Sequence, residues 1–359
     1  MHSRSFGNPR ALCQTTKMKI ALERLPIPSF FTRRFFKSER RGKPGVFLVV
    51  HNPSHVALFR DALTRLAELG VAFTVATIDD HFNQAAAVTA LQKAGLAWIP
   101  LSEIDRRIQA GDVLCVANDW GPRELVKLMS RLRRRGVRLV GVIEGAQFSL
   151  HPRYRRVDEI LGWGPSAKTV FDVPVRIVGS PKIEAATQLR IDREAAPSVL
   201  INFRSKRREQ EDGAVWVENA VGAAREVFGN CLLSVHPGSV DQPEYEERRP
   251  GPILNHFPSA TVLITRASTL IYEALAAKLP VIYCPFPDDK RAEFVHPLGA
   301  YPVAESKEEL IAALTDVKTG RGLTYDGSKF LEWHVSMAPQ TSAAVRIASA
   351  LGEMCTAKS

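Results

Sequence analysis

From residue 46 onward, the chain alternates short apolar runs with amphipathic stretches. The first run, Val46–Val50, is continuous and rich in β-branched residues, which is typical of a strand buried on both faces. Residues 56–69 follow with apolar side chains at helical spacing, and Gly70 ends that pattern. The same alternation predicts further strands at 71–77, 112–117, 137–143, 160–163 and 175–178, and a helix at 122–135.

The alternation resumes in the second half of the chain. It predicts strands at 198–203, 231–235, 261–265 and 281–283, and helices at 212–228, 268–278, 306–316 and 339–352. Strands that alternate with helices imply parallel sheets built from right-handed crossover units. Turn residues at Gly179-Ser180-Pro181 mark a boundary. The sequence therefore predicts an α/β protein with two domains, 46–180 and 181–338, and a C-terminal segment, 339–359, whose helix crosses back onto the first domain.

Positive charge is concentrated before the first predicted strand. Residues 1–45 hold eleven Lys or Arg and two Glu, so they carry +9 of the net charge of +10. The folded body is then close to neutral, which argues against a nucleic-acid-binding surface. The arm at 1–45 shows no helix or strand pattern and is predicted to be disordered. Its basic and aromatic stretch at 30–43 suits peripheral contact with an anionic membrane, and the alternatives are a plain leader or a true start at Met18.

Cysteine usage and hydropathy point to a cytoplasmic protein. The five cysteines include no CxxC pair, and Cys115, Cys231 and Cys284 lie in apolar runs, where buried thiols are expected. No run reaches the ~18 apolar residues that span a bilayer. No apolar signal core follows the basic N-terminus. We expect a cytoplasmic location. The basic arm suggests peripheral attachment to the inner membrane face as an alternative.

Ligands of open parallel sheets bind beyond the carboxyl ends of the strands, so the residues after each strand are the candidates. The segment 265–282 is the most specific. Ser268 and Thr269 fall at a predicted helix start, where hydroxyls cap free amides and the amides can hold a phosphate. Glu273 lies one turn further on, where a carboxylate could accept both hydroxyls of a ribose.

This segment, with its hydroxyl pair, Glu-Ala-Leu and then Pro-Val-Ile, resembles the donor-binding helix of GT-B glycosyltransferases. The resemblance extends over the two-half alternation from about 46 to 353. It implies two Rossmann-like domains with parallel sheets facing each other across a cleft. It also implies a nucleotide-sugar donor, a glycan or lipid-linked acceptor, and no metal or other cofactor.

A second motif, His236-Pro237, directly follows the predicted strand at 231–235. Its placement resembles the donor site of bacterial CMP-sugar-dependent sialyl- and Kdo transferases, and of transferases that use CDP-glycerol. The resemblance implies a CMP- or CDP-linked donor and a surface or capsular glycan as the product. Arg204 and its basic neighbours follow the strand at 198–203, where one or two of them could neutralise the donor phosphates.

Candidates for the catalytic base lie in the first half. Glu144-Gly145 follows the strand at 137–143, where the sialyltransferase families carry two acids and then Gly, although here Ile143 replaces the first acid. A carboxylate there could take the proton from an attacking acceptor hydroxyl. His55 is the other candidate, since many GT-B enzymes use a His after the first strand. Further polar residues at the same edge are His51, Asn52, Asn118 and Asp119.

Several motifs are absent from the sequence. There is no P-loop, no GxGxxG after the first strand and no Asp-x-Asp metal motif. Two alternatives stay open. One is an enzyme like the UDP-N-acetylglucosamine 2-epimerases, whose matching segment has two glycines where this chain has Ser268 and Thr269. The other is a catalytically inactive subunit that binds a nucleotide or a partner enzyme.

Overall fold

The computed structural model describes most of the chain after the basic arm. The described residues are 44–79, 83–118, 122–145, 154–192, 198–204, 210–236, 245–246, 248–249, 251–286, 293–321, 325–337 and 340–356. Several sequence predictions lie outside them: the membrane-contacting stretch at 30–43, Cys13, Asp119, Pro237 and the basic residues at 206–208.

The first half forms a seven-stranded parallel sheet in the order β3-β2-β1-β4-β5-β6-β7. Its strands are β1 (Val46–Val50), β2 (Phe73–Thr77), β3 (Ile99–Pro100), β4 (Val113–Val116), β5 (Arg138–Val142), β6 (Glu159–Gly162) and β7 (Val175–Ile177). Its helices are α1 (Pro53–Glu68), α2 (Gln84–Lys93), α3 (Leu101–Arg107), α4 (Arg123–Arg134), α5 (Ala167–Val170) and α6 (Pro181–Ala186).

The second half forms a four-stranded parallel sheet in the order β11-β10-β8-β9. Its strands are β8 (Val199–Phe203), β9 (Cys231–Val235), β10 (Val262–Thr265) and β11 (Val281–Tyr283). Its helices are α7 (Gln210–Phe228), α8 (Leu270–Ala276), α9 (Lys307–Lys318), α10 (Ser328–His334) and α11 (Ala343–Thr356). 3₁₀ segments occur at Ile253–Ser259 and Glu293–Val295.

Burial explains why the central strands are the most apolar parts of the sequence. Every residue of β1 is buried, because helices cover both faces of the sheet. The strand pairs in register with β2 on one side and β4 on the other, so Leu48 lies between Val75 and Cys115. The predicted burial of Cys115, Cys231 and Cys284 is confirmed, and burial raises the pKa of the Cys115 and Cys284 thiols.

The two halves pack against each other through aromatic side chains. Trp163, just after β6, makes an edge contact with Tyr272 of α8, with ring centroids 5.8 Å apart. The imidazole of His334 lies 3.0 Å from the hydroxyl of Ser166. The last helix, α11, packs on α1 of the first half through Ile347 and Leu351. The division of the chain at residues 180 and 181 stays a prediction.

Several predicted elements were displaced or missed. Helix α1 begins at Pro53 rather than at 56, because Asn52 caps it by accepting the amide of His55. Helix α8 is shorter than the predicted 268–278, since Lys278 takes a left-handed conformation and ends it. Helix α11 begins at Ala343 rather than at 339 and continues past Gly352. The sequence patterns did not predict β3, α2, α3, α5, α6 or α10. No described helix is long and apolar enough to cross a membrane.

Candidate active site

Polar side chains meet at the carboxyl ends of β1, β4 and β5, which are neighbours in the first sheet. Asn52 and His55 begin α1 directly after β1, Asn118 follows β4, and Glu144 follows β5. The Nε2 of His55 bonds to Oε2 of Glu144, and Asn118 donates to Oε1 of the same carboxylate at 3.1 Å. Sequence analysis treated Glu144 and His55 as rival candidates, whereas the structure joins them in one hydrogen-bonded pair.

Exposure separates the roles available to the two residues. His55 is 0% exposed, whereas the side chain of Glu144 is 22% exposed. A substrate hydroxyl can therefore reach Glu144 directly but can reach His55 only through it. His51 lies behind the pair, with its ring edge-on to His55 and Nε2 3.2 Å from the Asn118 amide nitrogen.

The surroundings of Glu144 decide its charge. Burial disfavours the ionised carboxylate, but the hydrogen bond and positive charge of His55, the Asn118 amide and the charge of His51 outweigh it and lower the pKa of Glu144. The carboxyl is therefore ionised at neutral pH. An ionised carboxylate that faces a cleft can accept a proton from a bound hydroxyl.

Asn52 contacts the same ring nitrogen of His55 as Glu144 does. Its Oδ1 accepts the hydroxyl of Ser54 at 2.6 Å and the amide of His55 at 3.0 Å, which directs Nδ2 to within 2.9 Å of His55 Nε2. When Nε2 carries a proton, it donates to Glu144. When Nε2 has none, it accepts from Asn52. Nε2 of His55 therefore has a hydrogen-bond partner whether or not it carries a proton.

Residues of the second half face this pair across the cleft. A Cβ added to Gly145 would lie 3.4 Å from Oγ1 of Thr269, so the backbone beside Glu144 lies against the start of α8. The hydroxyl of Ser268 accepts the amide of Leu270, the first residue of α8, at 3.2 Å, and Thr269 is the N-cap residue of this helix. The candidate base and the hydroxyl pair therefore lie close together on opposite walls.

Arg204 and His236 lie side by side at the carboxyl ends of β8 and β9, where the amide of His236 donates to the Phe203 carbonyl at 2.8 Å. Partial burial and the positive charges of Arg204 and Lys182 lower the pKa of His236, so its imidazole is neutral at pH 7. Arg266 supports this edge, because it is buried against the Phe286 ring and donates to the Arg204 carbonyl.

Glu273 lies deeper than sequence analysis suggested. Its side chain is 0% exposed, and burial raises the pKa of its carboxyl. The ammonium of Lys182, from α6, lies 3.0 Å from Oε1, whereas Oε2 has no hydrogen-bond partner among the described residues. Lys182 lies five residues after β7, but no sequence motif marks it, so it was not among the predicted site residues.

Two other features of the described residues bear on the site. No group of three or more His, Cys, Asp or Glu side chains there could hold a metal ion. A groove of about 900 Å³ lies beside the carboxyl end of α8, lined in part by Leu275, Tyr325 and Met337. None of the candidate site residues lines this groove, so it is separate from the candidate site.

The two facing Rossmann-like halves, each with a parallel sheet, define the GT-B fold, which confirms the predicted fold class. No protein-family model and no curated protein matches the sequence. The likeness to known proteins is one of structure.

Three solved structures illustrate that likeness. A Listeria monocytogenes protein assigned as a UDP-N-acetylglucosamine 2-epimerase has a TM-score of 0.59 at 14% identity, over 87% of this chain and 96% of its own. S. aureus MnaA bound to UDP has a TM-score of 0.59 at 12% identity, over 88% and 99%. The spinosyn forosaminyltransferase SpnP has a TM-score of 0.54 at 15% identity, over 88% and 100%. At these identities, the likeness establishes the fold alone.

Proposed function

We propose that the protein is a GT-B glycosyltransferase that moves a sugar, or a sugar-like group, from a nucleotide-activated donor to an acceptor hydroxyl. The proposal is supported above all by the ionised, partly exposed carboxylate of Glu144. His55 and Asn118 hold this carboxylate at the cleft edge beside Thr269. Forosaminyl- and rhamnosyltransferases of spinosyn synthesis share the fold, the latter bound to thymidine diphosphate in one structure.

In the proposed reaction, Glu144 accepts the proton of the acceptor hydroxyl while the hydroxyl oxygen attacks the anomeric carbon. The bond between that carbon and the donor phosphate oxygen breaks, and its electron pair leaves with the nucleotide. Attack opposite to the leaving group inverts the configuration. The proton passes from Glu144 to solvent when the product leaves, since Glu144 is the exposed member of the pair. Such a base contributes about 10²–10⁴-fold to the rate.

The donor would lie on the second half, with its phosphate near Arg204, His236, Ser268 and Thr269 and its ribose toward Glu273. The His236-Pro237 motif favours a cytidine nucleotide. We propose a surface or capsular glycan, or a lipid-linked precursor, as the acceptor. The protein would work in the cytoplasm or at the inner membrane face.

A thermal-shift screen tests the donor class. We expect CMP or CDP to raise the melting temperature more than UDP or GDP, because a ligand that binds only the folded state stabilises it according to its affinity. Free cytidine and free phosphate are the controls for each part of the ligand. A larger rise with UDP would reject the cytidine assignment and leave the fold unaffected.

The pH dependence of kcat/KM tests the partnership of Glu144 and His55. The base works only when ionised, so kcat/KM falls as the pH drops through its pKa. His55→Gln removes a positive charge that lowers this pKa. We therefore expect the acidic limb to move to higher pH, measured between about pH 4 and pH 8. The exposed His296→Gln is the matched control and should leave the limb in place. An unmoved limb in His55→Gln would mean that another group titrates.

A second candidate is an epimerase that acts on a UDP-activated sugar. It is favoured by the fold likeness to 2-epimerases, at TM-scores of 0.59. The segment Arg266-Ala267-Ser268-Thr269 lacks the paired glycines of that class, which argues against it. Proton NMR of UDP-N-acetylglucosamine incubated with the protein separates the two. A 2-epimer still attached to UDP would support the epimerase, whereas acceptor-dependent nucleotide release would support the transferase.

A further inference from the structure

We propose that Lys182 is a donor-binding residue that changes partner on binding: it pairs with Glu273 in the empty site and with the donor phosphate in the occupied one. The proposal rests on the proposed function, since it assumes a nucleotide in this cleft. It adds a residue that no sequence motif indicates, and it explains why a fully buried carboxylate is paired with a half-exposed ammonium.

Glu273 is incompletely paired in the structure. Its side chain is 0% exposed, yet its one ion-pair partner among the described residues is Lys182, which is 52% exposed. Oε2 of the carboxylate has no hydrogen-bond partner in the described part of the chain. Buried carboxylate oxygens normally accept hydrogen bonds, because burying them unsatisfied is costly. The two hydroxyls of a ribose would supply two donors to these two oxygens.

Positive charge is in excess around Lys182. Lys182 and Arg204 both act electrostatically on His236, so the three basic groups converge at the ends of β8 and β9. The guanidinium of Arg204 makes no ion pair with any residue that the structure describes. Glu273 neutralises only Lys182, so the positive charge of Arg204 is left over. A phosphate is the ligand class that neutralises such a group of donors.

Donor binding would then exchange the partners of Lys182. The ribose hydroxyls would replace the ammonium at Glu273, which releases Lys182 on its flexible four-carbon side chain. The released ammonium lies near Arg204 and His236, where the phosphate would bind. A nucleoside alone would displace Lys182 without giving it a new partner. The exchange therefore predicts that the phosphate contributes much of the affinity through Lys182.

Calorimetric titration of CMP, cytidine, UDP and uridine tests the exchange. In Lys182→Met, we expect nucleotide affinity to fall by about tenfold to a hundredfold while nucleoside affinity stays equal or rises. Lys182→Arg should restore most of the nucleotide affinity, since it returns a cation to the same position. Lys278→Met is the matched control. It removes one positive charge from an exposed lysine just beyond the carboxyl end of α8, so it should change neither affinity.

The outcomes separate the exchange from the proposed function. If wild type binds nucleotides and Lys182→Met keeps the full advantage of nucleotide over nucleoside, the exchange is wrong and the donor site stands. If Lys182→Met loses both affinities equally, Lys182 only compensates the buried charge of Glu273, which also overturns the exchange. If wild type binds none of the four ligands, the proposed function itself is wrong. The exchange is supported if the affinity for CMP and UDP falls in Lys182→Met but not in Lys182→Arg or Lys278→Met, while the affinity for the nucleosides is kept.

Discussion

Replacing Glu144 by Gln is expected to lower kcat by about 10²–10⁴-fold and to leave nucleotide affinity nearly unchanged. Gln keeps the length and shape of the side chain and can still bond to His55 and Asn118, but its amide cannot take the acceptor proton. The nucleotide would lie on the opposite wall, so its binding does not depend on this proton. Initial rates of nucleotide release measure the first effect, and calorimetry with the free nucleotide measures the second.

A matched control is Glu308→Gln, an exposed glutamate in the first turn of α9, which should keep both rate and affinity. Near-normal turnover in Glu144→Gln, together with loss of turnover in His55→Ala, would assign the base to His55. If both variants kept their turnover, the acid–base assignment would be wrong. A loss of nucleotide affinity in Glu144→Gln would show that the carboxylate also shapes the donor site.

The central strands could be predicted to within a residue or two. The prediction of β1, β9 and β11 matches the structure at both ends, because strands of a parallel sheet are covered on both faces and therefore continuously apolar. The strand predicted at 137–143 runs one residue too far at each end. Val137 and Ile143 are buried like the strand residues, so hydropathy cannot show where the hydrogen-bond ladder ends.

The elements between residues 78 and 111 could not be predicted from their pattern. Helix α2 has only Val88 and Leu91 as large apolar side chains, and its other apolar positions are alanines. Its apolar face is weak because most of these side chains are small. The same small side chains let the helix pack closely against α1. Gly352 misled in another way: it looks like a helix end, but it lies within α11, where Val71 approaches to 3.3 Å of an added Cβ.

The candidate site was predictable in its members and not in its contacts. The rule that ligands bind beyond strand ends selected His51, Asn52, His55, Asn118 and Glu144, which the structure brings together. The sequence could not show that residues 55 and 144 bond to each other, because that contact depends on the order of strands in the sheet. It gave no sign of Lys182, whose position follows from how α6 packs on α8.

Gly179 lies in the connection between the two halves, after β7 and before α6. It follows β7 with φ of +77°, a left-handed conformation in which a side chain is strained. An added Cβ would lie 2.5 Å from the Ser336 carbonyl oxygen and 2.2 Å from the guanidinium of Arg346. That guanidinium is itself fixed by hydrogen bonds to Val178, Ser336 and Glu184. The crossing between the halves therefore has no room for a methyl group.

We expect Gly179→Ala to lower the free energy of unfolding by about 2–4 kcal/mol, the sum of left-handed strain and overpacking. Gly229→Ala is the matched control: φ is +80° there, but no atom lies within 4 Å of an added Cβ. It should cost only the strain, about 1–2 kcal/mol. Urea unfolding of both variants measures the difference. Equal losses would mean that Arg346 and Ser336 move aside freely, so the crossing between β7 and α6 is not held rigidly by the C-terminal helix.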